Sequence, residues 1–353
     1  MKKTLLRKRT LTSVPNTDDS SSNMQDFFAS ARLKYEQFNE KAWAKGKGYG
    51  IPGYPVMEQR LEGLESGLYL FAGESNSGKS GIMMNLIEDI AQHEENCLTG
   101  VYYSLDDSAE EIIARVIAMK QMIPISVASK PQRYQEQIDD GAEGSALFED
   151  WLEKREDGLK ELMDSANKFI IEDATVIRNS SDLYEHMKKI QTYVKAQDPN
   201  NNIIVAFDSV NDIRLSDYRA HSTEDKHAET AKTIKEWAVQ MDIPIFASCH
   251  LRKLNGNRRP TLDDLKYSQE YVYESSVTFL VHNDVSKNKE AAQIYYEQDG
   301  FEEKRPVIEI DWAKNKKSSY KGRTYNFFIP ESSRTRECDD DTIRQYDTLI
   351  YEL

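Results

Sequence analysis

Cysteine is scarce in this chain of 353 residues: Cys97, Cys249 and Cys338 are the whole complement, with no C-x-x-C spacing and no even pairing. That argues against a disulfide framework or a structural zinc, and for a reducing, cytoplasmic compartment. Nowhere does the sequence approach the roughly 18 consecutive apolar residues that a membrane span requires, so no membrane association is expected. An excess of positive charge is missing as well. Lys and Arg number 46 against 60 Asp and Glu, giving a formal net charge of -14 and a pI near 5.1. A generally basic nucleic-acid binder is disfavoured, although a ring or groove can carry a local basic lining on an acidic body. The length suits one large domain or two ordinary ones, each able to bury a sizeable core. No internal repeat is present.

What the sequence does contain is Gly73-Glu74-Ser75-Asn76-Ser77-Gly78-Lys79-Ser80, a complete G-x-x-x-x-G-K-[ST] phosphate loop. The apolar run Leu68-Tyr69-Leu70-Phe71-Ala72 before it suits a buried strand. After it, Ile82, Met83, Leu86, Ile87 and Ile90 recur at helical spacing. Gly73 and Gly78 permit a turn that aims backbone N–H groups at phosphate oxygens, and the helix N-terminus adds its positive dipole end. Lys79 is expected to reach the β- and γ-phosphates of ATP, and the Ser80 hydroxyl to ligate Mg²⁺.

Around this loop the chain falls into four expected parts. Residues 1–22 read as a disordered tail: Lys2, Lys3, Arg7, Lys8 and Arg9 lack the apolar region of a signal peptide and run into a polar Asn16–Ser22 stretch. Residues 23–50 read as a helix ending in a glycine-rich break. Ser22 and Gln25 resemble a capping box, and Phe27, Ala31, Tyr35, Phe38 and Ala42 form one apolar stripe. That stripe is to be hidden in the protein's own core or against a neighbouring subunit. Residues 51–331 read as the main domain and 332–353 as a C-terminal tail.

Within the main domain apolar strands alternate with helical stretches, which is the pattern of an α/β fold with a mainly parallel sheet. Strands are expected at Gly100–Leu105, Ile203–Phe207 and Ile243–Cys249, then at about 276–282, 307–313 and 324–329. Ser108 and Glu111 form a second capping box, while residues 124–166 are polar and carry little pattern.

Three of these strands end in polar or acidic residues, where open α/β sheets bind their ligands. An apolar run ending in Asp208 is what holding Mg²⁺ beside a phosphate loop requires. Asp106 is placed either to orient an attacking water or to cap the next helix. His250 is placed either to sense the γ-phosphate or to serve as a structural histidine.

Further segments carry a resemblance: Gly53–Glu58 with Leu61–Leu64, Tyr103-Ser104-Leu105-Asp106, Phe207-Asp208-Ser209-Val210, Ile243 to Leu251, Arg259 to Lys266, and Ala313-Lys314-Asn315-Lys316 followed by Gly322. Together they resemble the RecA-like motor domain of DnaB-type replicative helicases, including the motor halves of phage helicase-primases, over about residues 50–331. The resemblance implies an ATP- and Mg²⁺-dependent homohexameric motor moving 5′-3′ on single-stranded DNA, with primase, a helicase loader or other replisome proteins as partners. It implies that Asp106 replaces the usual catalytic Glu, that His250 is the sensor, and that Lys314 and Lys316 reach the neighbouring subunit's ATP. It also implies a DNA-channel loop at Lys266, Tyr267, Ser268 and Gln269, and a subunit-docking role for the helix at 23–44. The large N-terminal domain of bacterial members is expected to be absent.

Two departures stand out. Lys316 occupies the position of the family's trans-acting Arg, supplying charge without a bidentate fork. Ser268-Gln269 replaces a Ser-Gly pair, with Tyr267 in place of an acidic residue and available to stack on bases. Two other functions remain open on the sequence: a RecA-family strand-exchange ATPase and a non-motor regulatory ATPase.

Overall fold

The computed structural model describes residues 17–44, 48–175, 177, 179–216, 218–219, 221–256, 258–267, 269–283, 293–298 and 301–351. They form two units, divided between residues 47 and 48. The first is a single helix, α1 (Thr17–Ala44). It starts six residues earlier than the Ser22 reading placed it, inside the expected tail; an acidic pair in the sequence there, Asp18-Asp19, favours that start through the helix dipole. Phe27, Tyr35 and Phe38 of the expected stripe are exposed, as are Met24 and Phe28 beside it and Trp43 near its end.

The second unit is built on ten strands: β1 (Gly67–Gly73), β2 (Leu98–Ser104), β3 (Phe169–Asp173), β4 (Asn202–Asp208), β5 (Pro244–His250), β6 (Val277–Asn283), β7 (Gln293–Gln298), β8 (Phe301–Asn315), β9 (Arg323–Ile329) and β10 (Arg334–Glu337). They lie in the order β10-β9-β8-β6-β1-β5-β4-β2-β3, with β7 paired to β8. The six strands from β6 to β3 are parallel, and the β6–β8–β9–β10 extension is antiparallel.

Helices cover both faces, which is why the central strands read as continuous apolar runs. The helices are α2 (Pro55–Leu61), α3 (Lys79–Gln92), α4 (Ala109–Gln121), α5 (Ile125–Ser129), α6 (Pro131–Asp139), α7 (Ser145–Asp164), α8 (Ser180–Gln197), α9 (Thr223–Met241), α10 (Glu270–Glu274) and α11 (Asp340–Tyr351). Along β1, Tyr69 and Phe71 face α3, whose Met83, Leu86, Ile87 and Ile90 complete one core. The alternate residues Leu68 and Leu70 face the other side, packing with Leu183 and Met187 of α8 and Ile234 and Trp237 of α9. Each such side chain, fully buried, contributes about 1.5–3 kcal/mol.

Three segments depart from the sequence reading. The polar stretch 124–166 folds into α5, α6 and α7, which pack on α4 around Ile117, Ile123, Tyr134 and Trp151. An edge strand, β3, was not anticipated, because only Phe169 of its five residues is fully buried. The expected tail from 332 carries β10 and α11. Glu337 of β10 accepts the first-turn N–H groups of Val56 and Met57 (2.6 and 3.0 Å), and Tyr346 of α11 donates to Glu309 (2.7 Å). Among the described residues no helix is long and apolar enough to cross a membrane.

Candidate active site

The phosphate loop joins β1 to α3, and its two glycines are dictated by crowding. A Cβ on Gly73 would run into Ser77 Oγ and lie 2.8 Å from the Val281 carbonyl; one on Gly78, whose φ is +94°, would meet the Ile308 side chain. Asn76 also takes a left-handed conformation, at φ 62°. Ser77 Oγ is buried without a hydrogen-bond partner among the described residues.

Lys79 is 6 % exposed, and its Nζ donates to the Glu74 carbonyl at 2.7 Å, leaving two further N–H groups for phosphate oxygens. Burial draws the Lys79 ammonium below the ordinary lysine range, while Cys249, Asp208 and Glu74 pull the other way. Burial also pushes the Cys249 thiol up to about 12, so the anions that hold Lys79 charged near neutrality are Asp208 and Glu74.

Asp208 ends β4 and is held at both oxygens. Ser248 Oγ donates to Oδ1, and the Tyr102 hydroxyl donates to Oδ2 at 2.7 Å. Burial, then the Asp208 charge, raises the Tyr102 phenol well above its ordinary value, which keeps it a donor. The Leu105 N–H donates to the Asp208 carbonyl at 2.6 Å and so staples the end of β2 to that of β4.

Asp106 follows that staple and is exposed. It does not cap α4: Ser108 does, in the expected reciprocal arrangement with Glu111, while Asp107 pairs with Arg115 at 2.7 Å. Asp106 stands within electrostatic reach of His250, as do Asp212 and Asp208. His250 pairs in register with Gly73, and its backbone N–H donates to Asn211 Oδ1 at 3.1 Å. Burial and the nearby Lys79 charge lower the imidazole pKa, so His250 is neutral at pH 7. Lys79, Asp106, Asp208 and His250 are thus gathered at one end of the sheet.

Sequence reasoning missed Tyr102, Ser248 and Asn211. The usable signal was a polar atom inside an otherwise apolar strand, as in Ile245-Phe246-Ala247-Ser248. Asn211 is 9 % exposed and its Nδ2 has no partner among the described residues.

Lys314 and Lys316 lie elsewhere. Asn315 pairs with Val277 at the start of β6, whereas Gly73 pairs with Val281 near its end. Four strand residues separate these levels, about 13 Å at 3.3 Å per residue. Lys314 Nζ donates to the carbonyls of Val272, Tyr273 (3.0 Å) and Ser275 (2.8 Å) around the end of α10. Burial and the Lys316 ammonium draw it down to about 8. The exposed Lys316 donates to the Tyr273 carbonyl at 3.3 Å. Neither reaches its own chain's phosphate loop.

The anticipated DNA loop sits beside the phosphate loop instead. A cleft of about 760 Å³ is lined by Glu74, Ser75, Asn76, Leu251, Arg252, Lys253 and Lys266. Tyr267, at φ 79°, stacks on His227 with ring centres 4.4 Å apart, and the Lys266 ammonium sits 4.6 Å from the same ring. Gln269 Nε2 donates to the Leu262 carbonyl at 3.0 Å. Ser268 lies outside the described residues.

Among the described residues no three His, Cys, Asp or Glu side chains gather as a metal cage. Mg²⁺ does not need one, because it is typically held by one or two protein oxygens, phosphates and water. The hard oxygen donors Ser80 and Asp208, with a glycine cradle too tight for any Cβ, fit a Mg²⁺-nucleotide.

Residues 50–331 match the family model described as DnaB-like helicase C terminal domain. No curated protein matches the chain. Among solved structures, the chain is similar to the ATPase domain of one replicative helicase, at 18% identity and TM-score 0.67, over 88% of this chain and 98% of that one. It is also similar to a DnaB-like replicative helicase described with its interactions with primase, at 17% identity and TM-score 0.66, over 92% of this chain and 72% of that one. Identities this low speak to the fold, which is the RecA-like helicase ATPase fold; the family match spans well over half of the sequence. The chain therefore belongs to the DnaB-like helicases, ATP-hydrolysing DNA helicases, through their C-terminal domain.

Proposed function

We propose that this chain works as a homohexameric replicative helicase that moves 5′-3′ along single-stranded DNA, with Mg²⁺-ATP bound between subunits. The observation that carries the reading is the separation of cations. Lys79 stands at the phosphate loop, while Lys316 projects at the opposite end of the same strands, where only another copy's nucleotide is within its reach.

Mg²⁺, held by Ser80 and Asp208, supplies charge neutralisation at the phosphates. In this reading Lys79 neutralises charge developing on the transferred phosphoryl oxygens, and Asp106 orients the attacking water. The Asp106 carboxylate is exposed and free of the capping duty that Ser108 performs. The neutral His250 imidazole hydrogen-bonds the γ-phosphate, with its backbone anchored on Asn211. Lys316 of a neighbouring subunit acts as a point charge, weaker than the fork of an arginine. Lys314 serves chiefly to fasten the end of α10 from which Lys316 projects.

DNA lies against Lys266, Arg252 and Lys253, a local basic lining on an acidic body. Binding is sequence-independent and salt-sensitive. The apolar stripe of α1 docks on a neighbouring subunit, in keeping with the exposure of Phe27, Tyr35 and Phe38. Replisome proteins are proposed partners on likeness to the helicase described with primase, and the cytoplasm is the proposed location. Electron microscopy with an ATP analogue and single-stranded DNA should reveal six-membered rings around the strand. Helical filaments would favour strand exchange instead, and DNA-free monomers a regulatory ATPase.

A further inference from the structure

Glu74, the second residue of the phosphate loop, faces two partners at once. Its backbone carbonyl accepts a hydrogen bond from Lys79 Nζ, and its carboxylate Oε1 accepts one from the backbone N–H of Leu254, each at 2.7 Å. Leu254 is buried and belongs to residues 251–254, the strap that leaves β5 after His250.

That strap is laced to the segment carrying Lys266. Leu251 forms an isolated antiparallel bridge with Leu265. The Arg252 N–H donates to the Asp264 carbonyl at 2.7 Å, and the Lys266 N–H to the His250 carbonyl at 3.1 Å. Asp264 is in turn clamped by Arg258 through both of its carboxylate oxygens. Movement of Leu254 is thereby passed to Lys266 through a rigid hydrogen-bonded unit rather than lost in a slack loop. The cleft between the two partners carries Arg252, Lys253 and Lys266 on one wall and Glu74, Ser75 and Asn76 on the other.

We propose that Glu74 is a positioning residue that couples the phosphate loop to the cation-bearing segment 251–266, so that nucleotide state and nucleic-acid grip change together. When Lys79 turns towards phosphate, its bond to the Glu74 carbonyl is given up. The loop then shifts, and the carboxylate carries Leu254 and the strap with it. Linkage works in both directions: a phosphate backbone bound by Arg252, Lys253 and Lys266 favours one position of the strap, hence of Glu74. The inference rests on the chain being a DNA-responsive ATPase, as proposed above.

The test uses the full chain with oligo-dT and a non-hydrolysable ATP analogue. Two ratios are measured: turnover with and without oligo-dT, and oligo-dT affinity with and without the analogue. Coupling of this kind is typically about 5- to 150-fold. It should fall towards one in Glu74→Ala, which loses the acceptor, and in Leu254→Pro, which loses the donor. Glu74→Gln keeps an acceptor oxygen and Leu254→Ala keeps the N–H, so both should hold the wild-type ratios. A bond that merely braces the loop would alter stability and leave the ratios unchanged. Wild-type ratios in Glu74→Ala overturn the inference, as does equal loss in Glu74→Ala and Glu74→Gln. If Leu254→Pro does not fold, the Ala and Gln variants at position 74 still decide. A wild-type protein indifferent to DNA would instead sink the DNA-responsive reading, and the inference with it.

Discussion

The Tyr102 hydroxyl donates to Asp208 Oδ2 at 2.7 Å from the neighbouring strand, holding one oxygen of the carboxylate while Ser248 holds the other. The orientation of the metal-side carboxylate is thus set by residues that need touch neither metal nor nucleotide. Tyr102→Phe should cost about 1.5–3 kcal/mol, the worth of a hydrogen bond to a charged group. Its ATPase should need more Mg²⁺ for half-maximal turnover. A magnesium titration that superimposes on wild type would show the bond to be irrelevant to the metal.

Lys79→Ala should lower ATP turnover by at least about 100-fold, the scale of losing one charge-stabilising donor. Because burial already disfavours the Lys79 charge, its removal should not lower the melting temperature. Unchanged turnover in pure, folded Lys79→Ala protein would reject the site.

Lys316→Ala and Asp208→Ala proteins should each be inactive, yet mixtures should regain some ATPase, since some interfaces would pair two intact halves. If every mixing ratio stays inactive although co-assembly is demonstrated, Lys316 has no part in catalysis.

Lys266→Ala should weaken DNA binding about equally across sequences and reduce the slope of log affinity against log salt by about one. A loss confined to particular sequences would point to base reading, and an unchanged slope would remove Lys266 from the phosphate contacts.

His227 supplies the pH dependence. It is buried, hydrogen-bonded to Tyr271 at 3.0 Å and stacked on Tyr267. Burial, with the Lys226 charge next, lowers its pKa to about 4; Lys266 adds to this, while Asp212 and Glu224 oppose it. The unfolded chain protonates this histidine near 6.5 and the folded protein only near 4, so the unfolded state binds more protons between those values. Its contribution to stability is therefore complete above about pH 6.5 and is lost as pH falls towards 4. His227→Gln should flatten the fall in melting temperature across that window. Parallel curves for the two proteins would show that His227 does not titrate as its burial requires.

Much of this site could be read from residue order because its parts are local. A phosphate loop carries its own spacing, strands buried on both faces read as apolar runs, and Ser108 with Glu111 announces a helix start. What escaped was set by distant neighbours. Tyr102 and Ser248 matter only because β4 lies between β2 and β5, an order that loops and helices hide. β10, with Thr335 its one fully buried residue among Arg334, Arg336 and Glu337, looks like surface until β9 pairs with it. Lys314 read as a nucleotide ligand because nothing in its own segment reveals the carbonyls at the end of α10.

The burial of two of the three thiols gives the protein an internal unfolding gauge. Cys249 and Cys338 are buried, and burial raises both well above the usual thiol range, whereas Cys97 is half-exposed at the start of β2. A maleimide added to the folded chain should mark Cys97 first and nearly alone, since thiolate and access are both required. Label stoichiometry climbing from one towards three then reports opening of the sheet beneath the phosphate loop, with no engineered probe.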